Sequence, residues 1–128
     1  MSKYAFGKTV NMGFDQAVAA VTQALSKEGF GVLTEIDVQA TLKKKLGIER
    51  APYKILGACN PQFAAQALEA EPQIGALLPC NVVVREAGGK TIVEFMDPDA
   101  VLQLVGRPEV GKIAAEVRER LQRVMAAL

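Results

Sequence analysis

The chain of 128 residues contains no histidine, no tryptophan and only two cysteines. Without histidine it lacks the commonest general base and metal ligand of proteins. Its only serines are Ser2 and Ser26, and neither lies in a G-x-S-x-G motif, which argues against a serine hydrolase. Fifteen basic residues face fourteen acidic ones. This balance gives no overall field to attract nucleic acid, so we predict no nucleic-acid partner.

Long apolar runs are also missing, although half of the residues are hydrophobic. No stretch approaches the roughly 18 uninterrupted apolar residues that a membrane span needs. The N-terminus has no apolar core or small-residue cleavage site of a secretory signal. The glycine pairs have neither dinucleotide nor P-loop spacing, so we predict no cofactor. We therefore expect a cytoplasmic protein with no membrane partner, folded as a single domain over residues 1–128.

What is present is a regular alternation of strand-like and helical runs. Strands are expected at about 3–10, 30–36, 53–59, 79–86 and 91–96. Apolar residues at three- and four-residue steps predict a long helix after Phe14 and a longer one over 110–128. Shorter helices follow the capping signals Asp37, Asn60-Pro61 and Asp97-Pro98. We predict an α+β fold, with a mostly antiparallel curved sheet of about five strands and two long helices packed on one face.

The two cysteines are the most informative reactive residues, because each adjoins a boundary marked by proline. Cys59 is expected to end a strand just before a helix, where unpaired N–H groups favour a thiolate. Cys80 is expected to start a strand, and an antiparallel neighbour would bring the two sulfurs to one end of the sheet. Two thiolates can hold a copper(I)-like ion, whereas structural zinc takes four ligands. Alternatively, both cysteines are small core residues.

Asp37 and Lys45 are the other candidate site residues. Asp37 ends a strand, and Lys45 follows eight residues later on a short helix. Together with a thiol at a helix end they could form a polar pocket. Alternatively, Asp37 caps the helix and Lys45 belongs to a solvated run of lysines.

Several motifs together resemble the domain of unknown function 302 family over nearly the whole chain. They are Glu35-Ile36-Asp37-Val38, Lys45-x-Gly47, Tyr53-Lys54-Ile55-Leu56-Gly57-Ala58-Cys59-Asn60-Pro61 and Leu78-Pro79-Cys80-Asn81-Val82-Val83-Val84. The resemblance implies helices on a curved sheet, as in the TATA-binding-protein arrangement, and a homodimer. It implies no established reaction. The family motifs include Asp37, Lys45, Cys59, Asn60 and Cys80, which favours a shared ligand site.

Three functional hypotheses follow. The first is a non-enzymatic dimeric binding module that holds an unknown small molecule or a soft metal ion, with Asp37, Lys45, Cys59, Asn60 and Cys80 as ligand-binding residues. In it no residue is catalytic, and Cys59 and Cys80 are the alternative metal ligands. The second is an enzyme that uses Cys59 as a nucleophilic or redox thiol. The third is a protein that acts only through its interaction surface.

Overall fold

The structure is a computed structural model that describes residues 2–128. Five strands form one sheet in the order β1-β5-β4-β3-β2, and every neighbouring pair is antiparallel. The strands are β1 (Ala5–Val10), β2 (Gly31–Asp37), β3 (Tyr53–Cys59), β4 (Cys80–Ala87) and β5 (Lys90–Met96). A hairpin joins β4 to β5, where Gly88 and Gly89 both have positive φ, as this tight turn requires. β1 and β2 are therefore the two edge strands.

Five α-helices connect or follow the strands within residues 2–128. They are α1 (Phe14–Lys27), α2 (Val38–Leu46), α3 (Pro61–Ala70), α4 (Pro98–Leu102) and α5 (Pro108–Ala126). Asp37, Asn60 and Asp97 cap α2, α3 and α4, since each side chain accepts a hydrogen bond from a backbone N–H in the first turn. The capping signals in the sequence thus mark three helix starts.

The long helices α1 and α5 pack on one face of the sheet and form the main core with it. Phe6, Phe95, Val82 and Leu56 lie in one row across four strands, because the strand registers place them opposite one another. Val21 and Leu25 of α1 and Leu121 of α5 pack against this face, and all three are fully buried. The predicted α+β class, the five antiparallel strands and the two helices on one face are confirmed.

A second, smaller cluster lies under α3 and the start of α5. It contains Ala67, Ile74, Leu102, Val110 and Ala114, all buried. Ile74 belongs to a 3-10 segment, Pro72–Leu77, that the sequence did not predict. A proline and a glycine interrupt any helical or strand period there, so only the burial of Ile74 at 1% exposure reveals why the segment is ordered. Within residues 2–128, no helix is long and apolar enough to cross a membrane.

Candidate functional site

A cavity lies where α3 and α5 meet the ends of β3 and β4, between the main and the smaller core clusters. Its walls are aliphatic and aromatic except for two thiols and one amide. The lining residues are Phe30, Ala58, Cys59, Asn60, Phe63, Ala64, Ala67, Leu78, Pro79, Cys80, Leu102, Ile113 and Val117. The space that a bound group can enter is about 40 Å³. Since one water occupies roughly 10–15 Å³ on this measure, the cavity admits an ion or a group of about three heavy atoms.

The sheet register brings both cysteines to this cavity. Cys59 is the last residue of β3 and Cys80 the first of β4, and Cys80 lies directly opposite Ala58. Cys59 is half-buried, whereas Cys80 is 7% exposed. Both thiols are free. Both cysteines therefore lie at the same end of the sheet, where β3 ends and β4 begins.

Burial changes the acidity of Cys80 strongly. Removal from water, and to a lesser extent the nearby Cys59, raise the pKa of its thiol to about 11. The Cys80 sulfur is thus a neutral thiol at physiological pH. It would become a thiolate there only if a positively charged group, such as a metal ion, replaced the proton.

Asn60 closes the end of the cavity where α3 begins. Its Oδ1 accepts a hydrogen bond from the backbone N–H of Phe63 at 3.4 Å, and Pro61 occupies the first helical position. Asn60 is only 8% exposed. A Cβ on Gly29 would lie 3.0 Å from the Asn60 Nδ2, and the φ of Gly29 is +85°. Glycine at position 29 therefore lets the end of α1 approach the cap that positions α3.

Comparison with known proteins identifies the family. The profile described as "Domain of unknown function DUF302" matches residues 6–128. The chain belongs to the DUF302 family. An uncharacterized conserved DUF302 protein from Bacillus stearothermophilus has 30% sequence identity to this chain, and its crystal structure superposes on this structure with a TM-score of 0.92. The match covers 98% of each chain. No curated protein matches this DUF302 chain.

Asp37 and Lys45 lie at the other end of the sheet from the cysteines. Asp37 is opposite Lys54 near the start of β3, whereas Cys59 is opposite Gly31 at its end. Six residues of strand separate these positions, a distance of roughly 20 Å. Asp37 caps α2 by accepting a hydrogen bond from the N–H of Ala40 at 2.9 Å, and Lys45 is exposed on α2. The structure thus brings Cys59, Asn60 and Cys80 together, but it does not bring Asp37 and Lys45 to them.

Most of the cavity wall was not singled out from the sequence. Phe63 lies on α3, and Ile113 and Val117 lie on α5, where they fit the apolar spacing of an ordinary helix. An apolar periodicity of this kind predicts that a side chain is buried, but it does not predict whether that side chain lines a cavity. The packing of α3 against α5 decides this, and no local pattern encodes that packing.

The structure predicts that native Cys80 resists alkylation. The fraction of thiolate falls about tenfold for each unit of pKa, so the rise from 9.0 to about 11 reduces it roughly hundredfold at neutral pH. We expect iodoacetamide to modify Cys80 at least about 100-fold more slowly in the native protein than in the unfolded chain. Mass spectrometry of the modified peptides over time measures both rates. Half-buried Cys59 is the internal reference, and equal rates at Cys80 in the two states would contradict this prediction.

Proposed function

We propose that this DUF302 chain is a binding module that holds a small occupant between the sulfurs of Cys59 and Cys80. The observation that carries the proposal is that the two cysteines of the chain line one cavity whose other walls are almost entirely apolar. Ligand sites are typically lined by apolar side chains, and a small number of polar groups fix the orientation of the ligand.

The size of the cavity limits the occupant. About 40 Å³ is too little for a molecule of metabolite size, since such ligands occupy pockets of roughly 300–1,000 Å³. A space of about 40 Å³ can hold a single ion. The size therefore favours the soft metal ion over the small molecule among the two expected occupants.

The donor set favours a monovalent soft ion. Sulfur ligands select soft metals, and two thiolates suffice for linear coordination of copper(I). A tetrahedral zinc site needs four ligands. Within residues 2–128 there is no group of three or more cysteine, aspartate or glutamate residues placed to hold a metal. Copper(I) thus fits the two sulfurs better than zinc does.

The acidity of the thiols makes binding depend on pH. A metal ion that binds both sulfurs must displace two protons, so its apparent affinity rises with pH. Because burial raises the pKa of Cys80 to about 11, the apparent affinity continues to increase with pH well above neutrality. We expect the apparent affinity for copper(I) to increase by up to about 100-fold per pH unit where both thiols are protonated.

Titration of the reduced apoprotein with copper(I) under anaerobic conditions tests the proposal. We expect ultraviolet thiolate-to-copper absorbance that saturates at one equivalent per chain. Because the chain has only two cysteines, the Cys59→Ser/Cys80→Ser double variant has no thiol and is a matched blank. Each single variant should lose most of the affinity. The proposal is wrong if the wild type gives no signal at one equivalent, or if the double variant gives the same signal.

The thiol enzyme remains the second candidate because Cys59 is half-buried, lines the cavity and directly precedes the capped start of α3. The cavity offers no carboxylate, amine or imidazole to act as the base of such an enzyme. Alkylation separates the two candidates. If Cys59 is a catalytic thiol, it should react with iodoacetamide faster than an unperturbed thiol at neutral pH. If Cys59 is only a metal ligand, no such fast reaction is expected.

A further inference from the structure

Arg120 of α5 packs against the wall of the cavity but is not one of its lining residues. Its guanidinium carbon lies 5.0 Å from the centre of the Phe63 ring, which does line the cavity. This is the geometry of a cation–π contact. A Cβ at Gly29 would lie 3.5 Å from the Arg120 Nη1 and 3.0 Å from the Asn60 Nδ2. A positive charge is therefore held close to Asn60, the residue that directly follows Cys59.

The charge of Arg120 is only partly balanced by its own surroundings. Its Nη1 donates a hydrogen bond to the backbone carbonyl of Glu28 at 3.1 Å, which is an uncharged acceptor. Its Nε is buried and has no hydrogen-bond partner within residues 2–128. Buried donors are normally hydrogen-bonded, so this one is an exception. The Glu116 carboxylate lies 3.6 Å from Nε, but that side chain is 47% exposed, and water weakens such a pair.

The metal site proposed above has the opposite charge when it is loaded. Two thiolates and one copper(I) ion together carry one net negative charge. The lining of the cavity contains no charged side chain other than the thiolates themselves. A net charge in such apolar surroundings is disfavoured unless an opposite charge lies close to it. The loaded site therefore needs a cation outside the lining.

We infer that Arg120 is the counter-charge of this metal site and sets its preference for a monovalent ion. The inference rests on the proposed function, because it concerns the same two sulfurs. With copper(I), the charges of the ion, the two thiolates and the guanidinium sum to zero. A divalent ion neutralises the two thiolates by itself, so the guanidinium then leaves one positive charge without a partner. Arg120 thus acts on the selectivity of the site without touching the ion.

Arg123 of the same helix is a matched control for Arg120. Its Nε donates a hydrogen bond to the Glu28 Oε1 at 3.0 Å, and the Glu119 Oε1 lies 3.7 Å from its Nη1. Its side chain is 50% exposed. Two carboxylates and water therefore balance its charge. Removing this charge changes the net charge of the protein as much as removing that of Arg120, but it leaves the proposed counter-charge in place.

Competition titrations of the reduced protein with copper(I) and with mercury(II), each against a chelator of known affinity, test the inference. Mercury(II) favours the same linear arrangement of two thiolates, but it has one more positive charge. We expect Arg120→Met to lower the copper(I) affinity about 10-fold or more, without lowering the mercury(II) affinity. Arg120→Lys keeps the charge and should retain most of the copper(I) affinity. Arg123→Met should keep both affinities within about twofold of the wild type.

Arg120→Gln is a second neutral variant, since its amide can still donate a hydrogen bond to the Glu28 carbonyl. It should behave as Arg120→Met does, and circular dichroism shows which of the two is fully folded. An equal loss of affinity for both metals, or an equal loss in Arg120→Lys, would show that Arg120 only holds α3 in place. Either result, or copper(I) binding that the neutral variants leave unchanged, overturns this inference alone. A wild type that binds no copper(I) overturns the proposed function as well.

Discussion

Replacing Phe95 with alanine will remove about 3–5 kcal/mol from the free energy of unfolding. Phe95 has no exposed surface and lies near the C-terminal end of β5, which pairs with β1 on one side and β4 on the other. Its ring stacks on that of Phe6, with 5.6 Å between the ring centroids. Truncation removes the buried ring and leaves a cavity beneath α1 and α5, which the two helices cannot close without losing their own contacts.

Urea denaturation measures this loss. An unchanged dependence of the free energy of unfolding on urea concentration would show that the folded and unfolded states are otherwise the same in the variant. A domain of this size is stable by roughly 5–15 kcal/mol, so the variant should be folded but close to its limit. Leu104→Ala is the control, since Leu104 is 79% exposed, and it should change stability by less than about 0.5 kcal/mol. A Phe95→Ala loss as small as that of the control would mean that this core is not packed as described.

Local signals in the sequence were sufficient for much of the fold. The Gly88-Gly89 pair marks the turn between β4 and β5, because glycine readily adopts the positive φ that both positions have there. The long apolar stripe predicted α5, and the pairs Glu116–Arg120 and Glu119–Arg123 form four residues apart along this helix. Each of these features depends on residues close together in the chain.

The candidate site was only partly predictable, because its parts are distant in the chain. Boundary prolines singled out Cys59 and Cys80, and the antiparallel pairing of β3 with β4 then brought them together. The same family motifs contain Asp37, yet Asp37 lies at the far end of the sheet. Residues that belong to the same family motifs need not lie close together in the folded protein. The direction and pairing of β2, β3 and β4 decide that Cys59 and Cys80 share one end of the sheet, whereas Asp37 caps α2 at the other end.

The last prediction concerns the dependence of stability on pH. The Cys80 thiol has an unfolded pKa near 9.0 and a folded pKa of about 11, because burial favours the neutral form. Below pH 9 both states hold the proton, so this thiol adds no pH dependence. Between pH 9 and 11 the unfolded chain has lost the proton while the native protein keeps it, so the stability falls as the pH rises. The loss should reach about 1.4 kcal/mol at pH 10 and roughly 2–3 kcal/mol above pH 11.

Comparison of wild type with Cys80→Ala isolates this contribution. Other groups also titrate at alkaline pH, including Lys54, whose pKa is raised chiefly by its hydrogen bond to Glu35. Both proteins share those groups, so their effects cancel in the difference. Cys80→Ala should be less stable than the wild type at pH 8, and the difference should shrink steadily towards pH 11. A difference that stays constant would mean that the Cys80 thiol ionises as readily in the folded protein as in the unfolded chain, and that the cavity wall is open to water.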